Sequence, residues 1–172
     1  MSNDVVMRGY DKHTDVNLVE EPEVYYLVDN RFDRIIGVLG GSNKVGQVVN
    51  SDIDLIALIR KGLPKSVLYS LCEVLQISME KLSDLLHISH RTLQRKADTD
   101  PLTISNSQQL IEIAEVVSEG VKVFNTLDSF RKWVHSTPYV FNGQKPLDFL
   151  DTGFGTQYIK NILGRIAHGI PS

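Results

Sequence analysis

Apolar residues recur at intervals of three and four along most of this chain, which is the spacing of one face of an α-helix. The clearest runs predict helices over residues 31–39, 51–62, 65–75 and from Ser105 or Ser107 to about Phe124. In the long last helix, we expect a buried stripe of Leu110, Ile113, Ala114, Val117, Val121 and Phe124. No segment sustains the alternation of a strand, although Val24–Val28 is short and β-prone. The pattern therefore predicts a mainly α fold.

Polar residues that cap helix N-termini stand in front of several helical segments. They are Asn30, Ser51, Ser78 and Ser89. Gly40 and Gly41 should end the first helix, and Gly62 followed by Pro64 should end the second. In the second helix, we expect a buried face of Ile53, Ile56, Ala57 and either Ile59 or the stem of Arg60.

Residues 79–96 combine two short helical segments with a three-residue turn, which is the pattern of a helix-turn-helix. The apolar set that would lock these helices together is Leu82, Leu86, Ile88 and Leu93. The second helix of such a pair enters the major groove of DNA, where Arg91 suits guanine and Gln94 suits adenine. The residues that we expect to contact DNA are Ser89, His90, Arg91, Gln94, Arg95 and Lys96. The alternative is a pair of solvated amphipathic helices.

The turn between these two helices holds His87 where glycine is usual, because one residue there tends to a positive φ. Histidine tolerates that backbone region better than most residues. From His87 through Lys96 there are three formal positive charges and no acid, whereas the whole chain has a net charge of −3. Any contact with DNA must therefore come from a local patch or from several copies acting together.

The end of the chain predicts three further helices. The first is capped by Thr126 or Asp128, and its core residues are Phe130, Trp133 and Val134. The second starts at Pro146 and buries Leu147 and Leu150. The third runs from about Phe154 to Ala167, is closed by Gly169, and has an apolar side of Tyr158, Ile159, Ile162, Leu163 and Ile166.

Two residues within the last helix exceed what a generic helical bundle needs. Glycine at position 164 lowers helix stability by about 1 kcal/mol relative to alanine. Close approach of another backbone would explain why a glycine stands there. For Arg165 the sequence leaves three interpretations open. It pairs with an acid, it takes the place of a substrate's positively charged ring, or it is a solvated charge on the helix surface. Beyond the helix, Ile170 continues the apolar arc, and a chain end this apolar is usually docked on something.

Several motifs resemble the Xre/MbcA/ParS antitoxin family over about residues 50–170. In the helix-turn-helix they are Lys61-Gly-Leu-Pro64 and Ile88-Ser-His-Arg-Thr-Leu-Gln-Arg-Lys96. Nearer the end they are Asp128-Ser-Phe-Arg-Lys-Trp133, Gly143-Gln-Lys-Pro-Leu-Asp-Phe-Leu150, Asp151-Thr-Gly-Phe-Gly155 and Ile162-Leu-Gly-Arg-Ile-Ala-His-Gly-Ile170. The resemblance implies an N-terminal extension over 1–30, an Xre-like helix-turn-helix domain over 31–124 and a small helical toxin-binding domain over 125–172.

The resemblance also implies a function. Such antitoxins pair with a RES-class toxin, which consumes NAD or transfers ADP-ribose, and cover its cleft with their C-terminal end. They bind operator DNA to repress their own operon, and they form homodimers and larger toxin–antitoxin complexes. The surface expected to meet the toxin comprises Lys160, Leu163, Gly164, Arg165, Ile166, His168, Gly169 and Ile170.

Composition narrows the remaining possibilities. One cysteine allows no disulfide within the chain, and no apolar run approaches the ~20 residues that cross a bilayer, so we expect a cytoplasmic protein without a membrane partner. We predict no metal site, cofactor or catalytic residue, because the histidines lack metal spacing and Cys72 lacks an adjacent base. The alternatives to an antitoxin are a stand-alone helix-turn-helix repressor with a C-terminal dimerisation domain and an adaptor without a DNA role.

Overall fold

The structure, a computed structural model, describes residues 30–170. The helices within this range are α1 (Arg31–Val38), α2 (Gly41–Val45), α3 (Asp52–Lys61), α4 (Val67–Leu75), α5 (Met79–Leu85), α6 (His90–Arg95), α7 (Ile104–Phe124), α8 (Leu127–His135) and α9 (Gly153–Ala167). Two 3₁₀ helices, Tyr139–Phe141 and Pro146–Asp151, lie between α8 and α9. The mainly α prediction is confirmed. The β-prone Val24–Val28, the extension before residue 30 and the last two residues lie outside the described range.

The predicted caps of the first half are confirmed. Asn30 Oδ1 accepts a hydrogen bond from Phe32 N at 3.0 Å, and Ser51 Oγ accepts one from Asp54 N at 3.2 Å. Gly62 ends α3 with a φ of +89°. The predicted end of the first helix at Gly40 and Gly41 is confirmed for α1. However, Gly41 also begins the short helix α2, which was not predicted.

The predicted start of the long helix, at Ser105 or Ser107, was late by one or three residues, because α7 begins at Ile104. Thr103 caps α7, since its Oγ1 accepts a hydrogen bond from Asn106 N at 3.2 Å. Ser107 is buried inside the first turn, where its hydroxyl accepts a hydrogen bond from Leu63 N at 2.9 Å. Ser107 therefore does not begin the helix. It connects α7 to the segment that follows α3.

The predicted buried face of α3 was also wrong, except that Ile59 is partly buried against the core. Ile53 is 77% exposed and Ile56 is 46% exposed, whereas Leu55 and Leu58 are buried. The segment is apolar at nearly every position from 53 to 59, so helical spacing alone fits more than one face. The position of α7, against which α3 packs, selects the Leu55–Leu58 side.

The core is built around α7, which packs against α1, α3, α8 and α9. Its predicted stripe is confirmed, with five members buried and Phe124 partly buried. Gly120 lies where α8 crosses α7, and a Cβ atom there would overlap the buried ring of Phe130. Within residues 30–170, no helix is long and apolar enough to cross a membrane.

Candidate functional site

The helix-turn-helix forms as the sequence predicted. Ser78 caps α5 and Ser89 caps α6, with hydrogen bonds of 3.2 and 3.1 Å to backbone N–H groups. Three members of the locking set are buried and Ile88 is packed against them. Ser83 is 1% exposed, and its hydroxyl donates to Met79 O at 2.6 Å, so the small residue sits where the two helices approach.

The turn residue His87 adopts the positive φ that its position requires, at +53°. A left-handed residue other than glycine costs about 1–2 kcal/mol. The side chain supplies a contact that glycine could not, because its Nε2 lies 3.0 Å from the carbonyl oxygen of Asp151 and donates to it when protonated. Histidine therefore joins the helix-turn-helix to the end of the 3₁₀ helix before α9.

The residues expected to contact DNA fall into two groups. Arg91, Gln94 and Arg95 are exposed on α6. The remaining three residues have roles within the fold. Ser89 caps the helix, His90 lies 3.8 Å from the Glu80 carboxylate, and Lys96 Nζ donates to Pro101 O at 3.0 Å. Of the residues expected to contact DNA, α6 thus exposes two guanidinium groups and an amide, and Thr92 is exposed on the same helix.

Side chains of α7 connect the helix-turn-helix to the C-terminal part, and sequence reasoning did not identify them. Gln109 Nε2 donates to Leu85 O at 2.7 Å and to Leu150 O at 3.1 Å, while Asn106 Nδ2 donates to Leu86 O at 2.9 Å. An ion pair of 2.7 Å joins Lys81 to Asp148. In the sequence, these bonds are indicated only by the amide side chains of Asn106 and Gln109 beside the apolar stripe of α7. Their partners are distant along the chain, so the sequence pattern could not identify them.

The C-terminal part has an aromatic core. Trp133 lies 5.4 Å from Phe124 and 5.9 Å from Phe141 between ring centroids, and Phe141 lies 5.6 Å from Tyr158. Phe130 and Val134 are fully buried, as predicted for α8. Thr126, one of the two expected caps, accepts a hydrogen bond from Ser129 N at 3.1 Å. These contacts fix α8 and the first 3₁₀ helix against α9.

The last helix has one buried and one exposed side. Ile159, Ile162 and Leu163 are buried, and Tyr158 and Ile166 are partly buried, which confirms the predicted apolar side. Gly169 closes the helix with a φ of +66°, and the N–H of Ile170 returns to Arg165 O at 3.0 Å. This is the hydrogen-bond pattern of a glycine-terminated helix.

Two residues of the expected toxin-binding set face inward. Leu163 is 1% exposed in the core of the chain itself. Lys160 pairs with Glu115 of α7, which also binds Arg31 of α1. Burial by itself would raise the pKa of Glu115, but the hydrogen bonds from Lys160 and Arg31 outweigh it and hold that pKa below its usual value. The ion pair between Lys160 and Glu115 therefore attaches α9 to α7.

The other members of that set lie on the surface. Gly164, Arg165, His168, Gly169 and Ile170 are exposed, and Ile166 is partly buried. A Cβ atom at Gly164 would have open space within 4 Å, so crowding in the described chain does not explain this glycine. The end of α9 is therefore exposed on the side of these residues.

The geometry defines a class: a helix-turn-helix protein whose motif is joined to a helical C-terminal domain. Family models describe both parts, as the antitoxin Xre-like helix-turn-helix domain over residues 54–115 and the antitoxin Xre/MbcA/ParS C-terminal toxin-binding domain over residues 120–169. The chain belongs to the Xre/MbcA/ParS antitoxin family, and it is an antitoxin of a toxin–antitoxin system.

Relatives carry names of the same kind. A protein named Prs ADP-ribosylating antitoxin, from a Sphingobium species, is 26% identical over 69% of this chain and 81% of its own. The antitoxin Xre of Pseudomonas putida is 26% identical over 69% of this chain and 74% of its own. The crystal structure of the M. tuberculosis MbcT–MbcA toxin–antitoxin complex is similar at 23% identity, covering 63% of this chain and 96% of the matched chain with a TM-score of 0.46.

Proposed function

We propose that this antitoxin neutralises a RES-type toxin, which consumes NAD or transfers ADP-ribose, by filling the toxin's cleft with the end of α9. The observation that carries the proposal is the exposed end of α9, which closes a toxin-binding domain matched over residues 120–169 and is followed directly by Ile170, an apolar residue that is 49% exposed. The contact set is Gly164, Arg165, Ile166, His168, Gly169 and Ile170. Lys160 and Leu163 hold this end in position from within the chain.

Each part of this chain end has a physical role in the proposal. Gly164 lets a toxin backbone come close, since no side chain of its own intervenes. Arg165 presents a positive charge, which suits an acid of the toxin or the place of the nicotinamide ring of NAD. Inhibition by occlusion needs no chemistry from the antitoxin, because a cleft cannot hold the antitoxin end and a substrate at once.

The helix-turn-helix gives the second half of the proposal, which is autorepression of the operon. Arg91, Gln94 and Arg95 are exposed on α6. They would contact base edges or phosphates in the major groove of DNA. The chain has a net charge of −3, so a single copy is a weak ligand for DNA. We propose that a homodimer within the toxin complex binds the operator in the cytoplasm, with two α6 helices on two half-sites.

Deletion of residues 169–172 tests occlusion without removing the core residues Ile162 and Leu163. We expect the shortened antitoxin to fold but to inhibit NAD consumption by the toxin at least ten times less potently. The toxin is the purified product of the reading frame next to this gene. Removal of residues 1–4 is the control of equal length, and it should leave inhibition unchanged. Full inhibition by the protein lacking residues 169–172 would contradict occlusion by the chain end.

A further inference from the structure

Phe154 is a large apolar side chain at the start of α9 that the fold does not use. It is 86% exposed. Its neighbours in the motif Asp151–Gly155 have structural roles. Thr152 caps α9 by accepting a hydrogen bond from Gly155 N at 3.1 Å, and a Cβ atom on Gly155 would overlap the carbonyl oxygen of Phe149. Folding explains the cap and the second glycine, but it does not explain the phenylalanine between them.

A second exposed aromatic residue lies on the neighbouring element. Tyr139 is 93% exposed and begins the 3₁₀ helix Tyr139–Phe141. Tyr158 holds that helix against α9, since its hydroxyl donates to Val140 O at 3.2 Å and its ring lies 5.6 Å from that of Phe141. Tyr158 follows Phe154 by one helical turn, so both exposed aromatic residues belong to the same end of α9.

The exposed side of α9 connects this aromatic end to the other end of the helix. Its residues recur every three or four positions, as one face of a helix requires: Phe154, Gln157, Asn161, Arg165 and His168. Fourteen residues of helix rise by about 21 Å. The middle of this face is uncharged, and Gln157 and Asn161 share a hydrogen bond of 3.2 Å. Depletion of charge in the centre is typical of protein–protein interfaces.

We propose that Phe154, together with Tyr139 of the 3₁₀ helix packed on this end of α9, is a second anchor for the toxin, about 21 Å along α9 from the end that enters the cleft. This inference rests on the proposed function. The partner surface that fits is an apolar depression on the toxin outside its NAD cleft, able to cover an aromatic ring. The toxin is the occupant that we favour over a second antitoxin copy, because both residues lie within 120–169 and Phe154 lies on the face of α9 that continues to the proposed cleft-filling end.

The test is Phe154→Ala, measured by calorimetric titration with the product of the reading frame next to this gene. Truncation of an anchor residue typically costs 2 kcal/mol or more, so we expect the dissociation constant to rise roughly 30-fold. Ile53→Ala is the matched control, because Ile53 is also the second residue of a helix and is 77% exposed. We expect it to leave the affinity unchanged. Tyr139→Ala should weaken binding as well, and thermal unfolding should verify that all variants fold.

The outcomes separate this inference from the function on which it rests. If wild type binds and inhibits while Phe154→Ala and Tyr139→Ala bind equally well, the second anchor is refuted and occlusion by the chain end stands. If the two variants lose self-association in sedimentation but keep toxin affinity, the aromatic surface joins antitoxin copies and the inference is wrong. If wild type itself neither binds nor inhibits the toxin, both proposals fail.

Discussion

At the scale of single residues, two helical glycines that look alike in sequence have opposite surroundings. Gly120 is buried in α7 beneath the ring of Phe130, where a Cβ atom has no room. Gly164 is exposed in α9, and a Cβ atom there would lie in open space. The first glycine is therefore required by packing within the chain. The second is available for contact with something outside it.

We predict opposite stability changes for alanine at these two positions. Gly120→Ala should lower the free energy of unfolding by up to about 2 kcal/mol, because overpacking costs about 1–3 kcal/mol and only roughly 1 kcal/mol is gained in helix propensity. Gly164→Ala should raise it by up to about 1 kcal/mol. Urea titration followed by circular dichroism measures both. A stable Gly120→Ala protein would mean that α8 can move away from α7.

Gly164→Ala also separates stability from function. If the glycine is there to let a toxin backbone approach, the more stable variant should inhibit the toxin less well. Helix propensity favours alanine at this position, and the described fold imposes no reason against it. Equal inhibition by wild type and Gly164→Ala would remove Gly164 from the proposed contact set.

At the scale of elements, α6 concentrates the outward positive charge of the helix-turn-helix. Arg91 and Arg95 are exposed there, whereas Lys96 is turned back onto Pro101. Sequence reasoning placed all three cations in the DNA-contact set, because charge and spacing are visible in the sequence but the direction of a side chain is not. The structure thus predicts that the two arginines matter more for DNA than the lysine.

We expect Arg91→Ala to weaken operator binding by about 1–3 kcal/mol, the usual contribution of an arginine that reads a base edge. The measurement is fluorescence anisotropy at fixed salt with the DNA upstream of this gene. Arg60→Ala, which removes an exposed arginine from α3, is the control and should have little effect. Toxin inhibition should be unchanged in both variants. Equal DNA affinity of Arg91→Ala and wild type would exclude Arg91 from base recognition.

At the scale of the whole molecule, α7 serves both halves of the chain. It packs against α1 and α3 on the side of the helix-turn-helix and against α8 and α9 on the other. Gln109 donates to carbonyl oxygens of both halves, and Glu115 binds both Arg31 and Lys160. We still propose a division near residue 124, where α7 ends, but both halves pack against this helix.

Because both halves of the chain pack against α7, we expect a single cooperative unfolding transition. Trp133 is the only tryptophan and lies in the C-terminal part, so its fluorescence reports on that part alone. Far-UV circular dichroism reports on all helices. We expect the two signals to give superimposable urea curves. Two separated midpoints would show that the C-terminal domain unfolds independently, and that the contacts made by His87, Lys81 and Gln109 do not couple the halves.

The sequence by itself determined the helical fold, most of the caps, the helix-turn-helix and the family. These features depend on residues that are close along the chain, such as Ser89 and Thr92, whose spacing alone brings donor and acceptor together. Only the tertiary structure decided which face of α3 is buried, that Leu163 and Lys160 turn inward, and that Phe154 and Tyr139 remain exposed. Burial depends on which element packs on which side, and an apolar residue in a helix has no local signal that says whether the core or a partner will cover it.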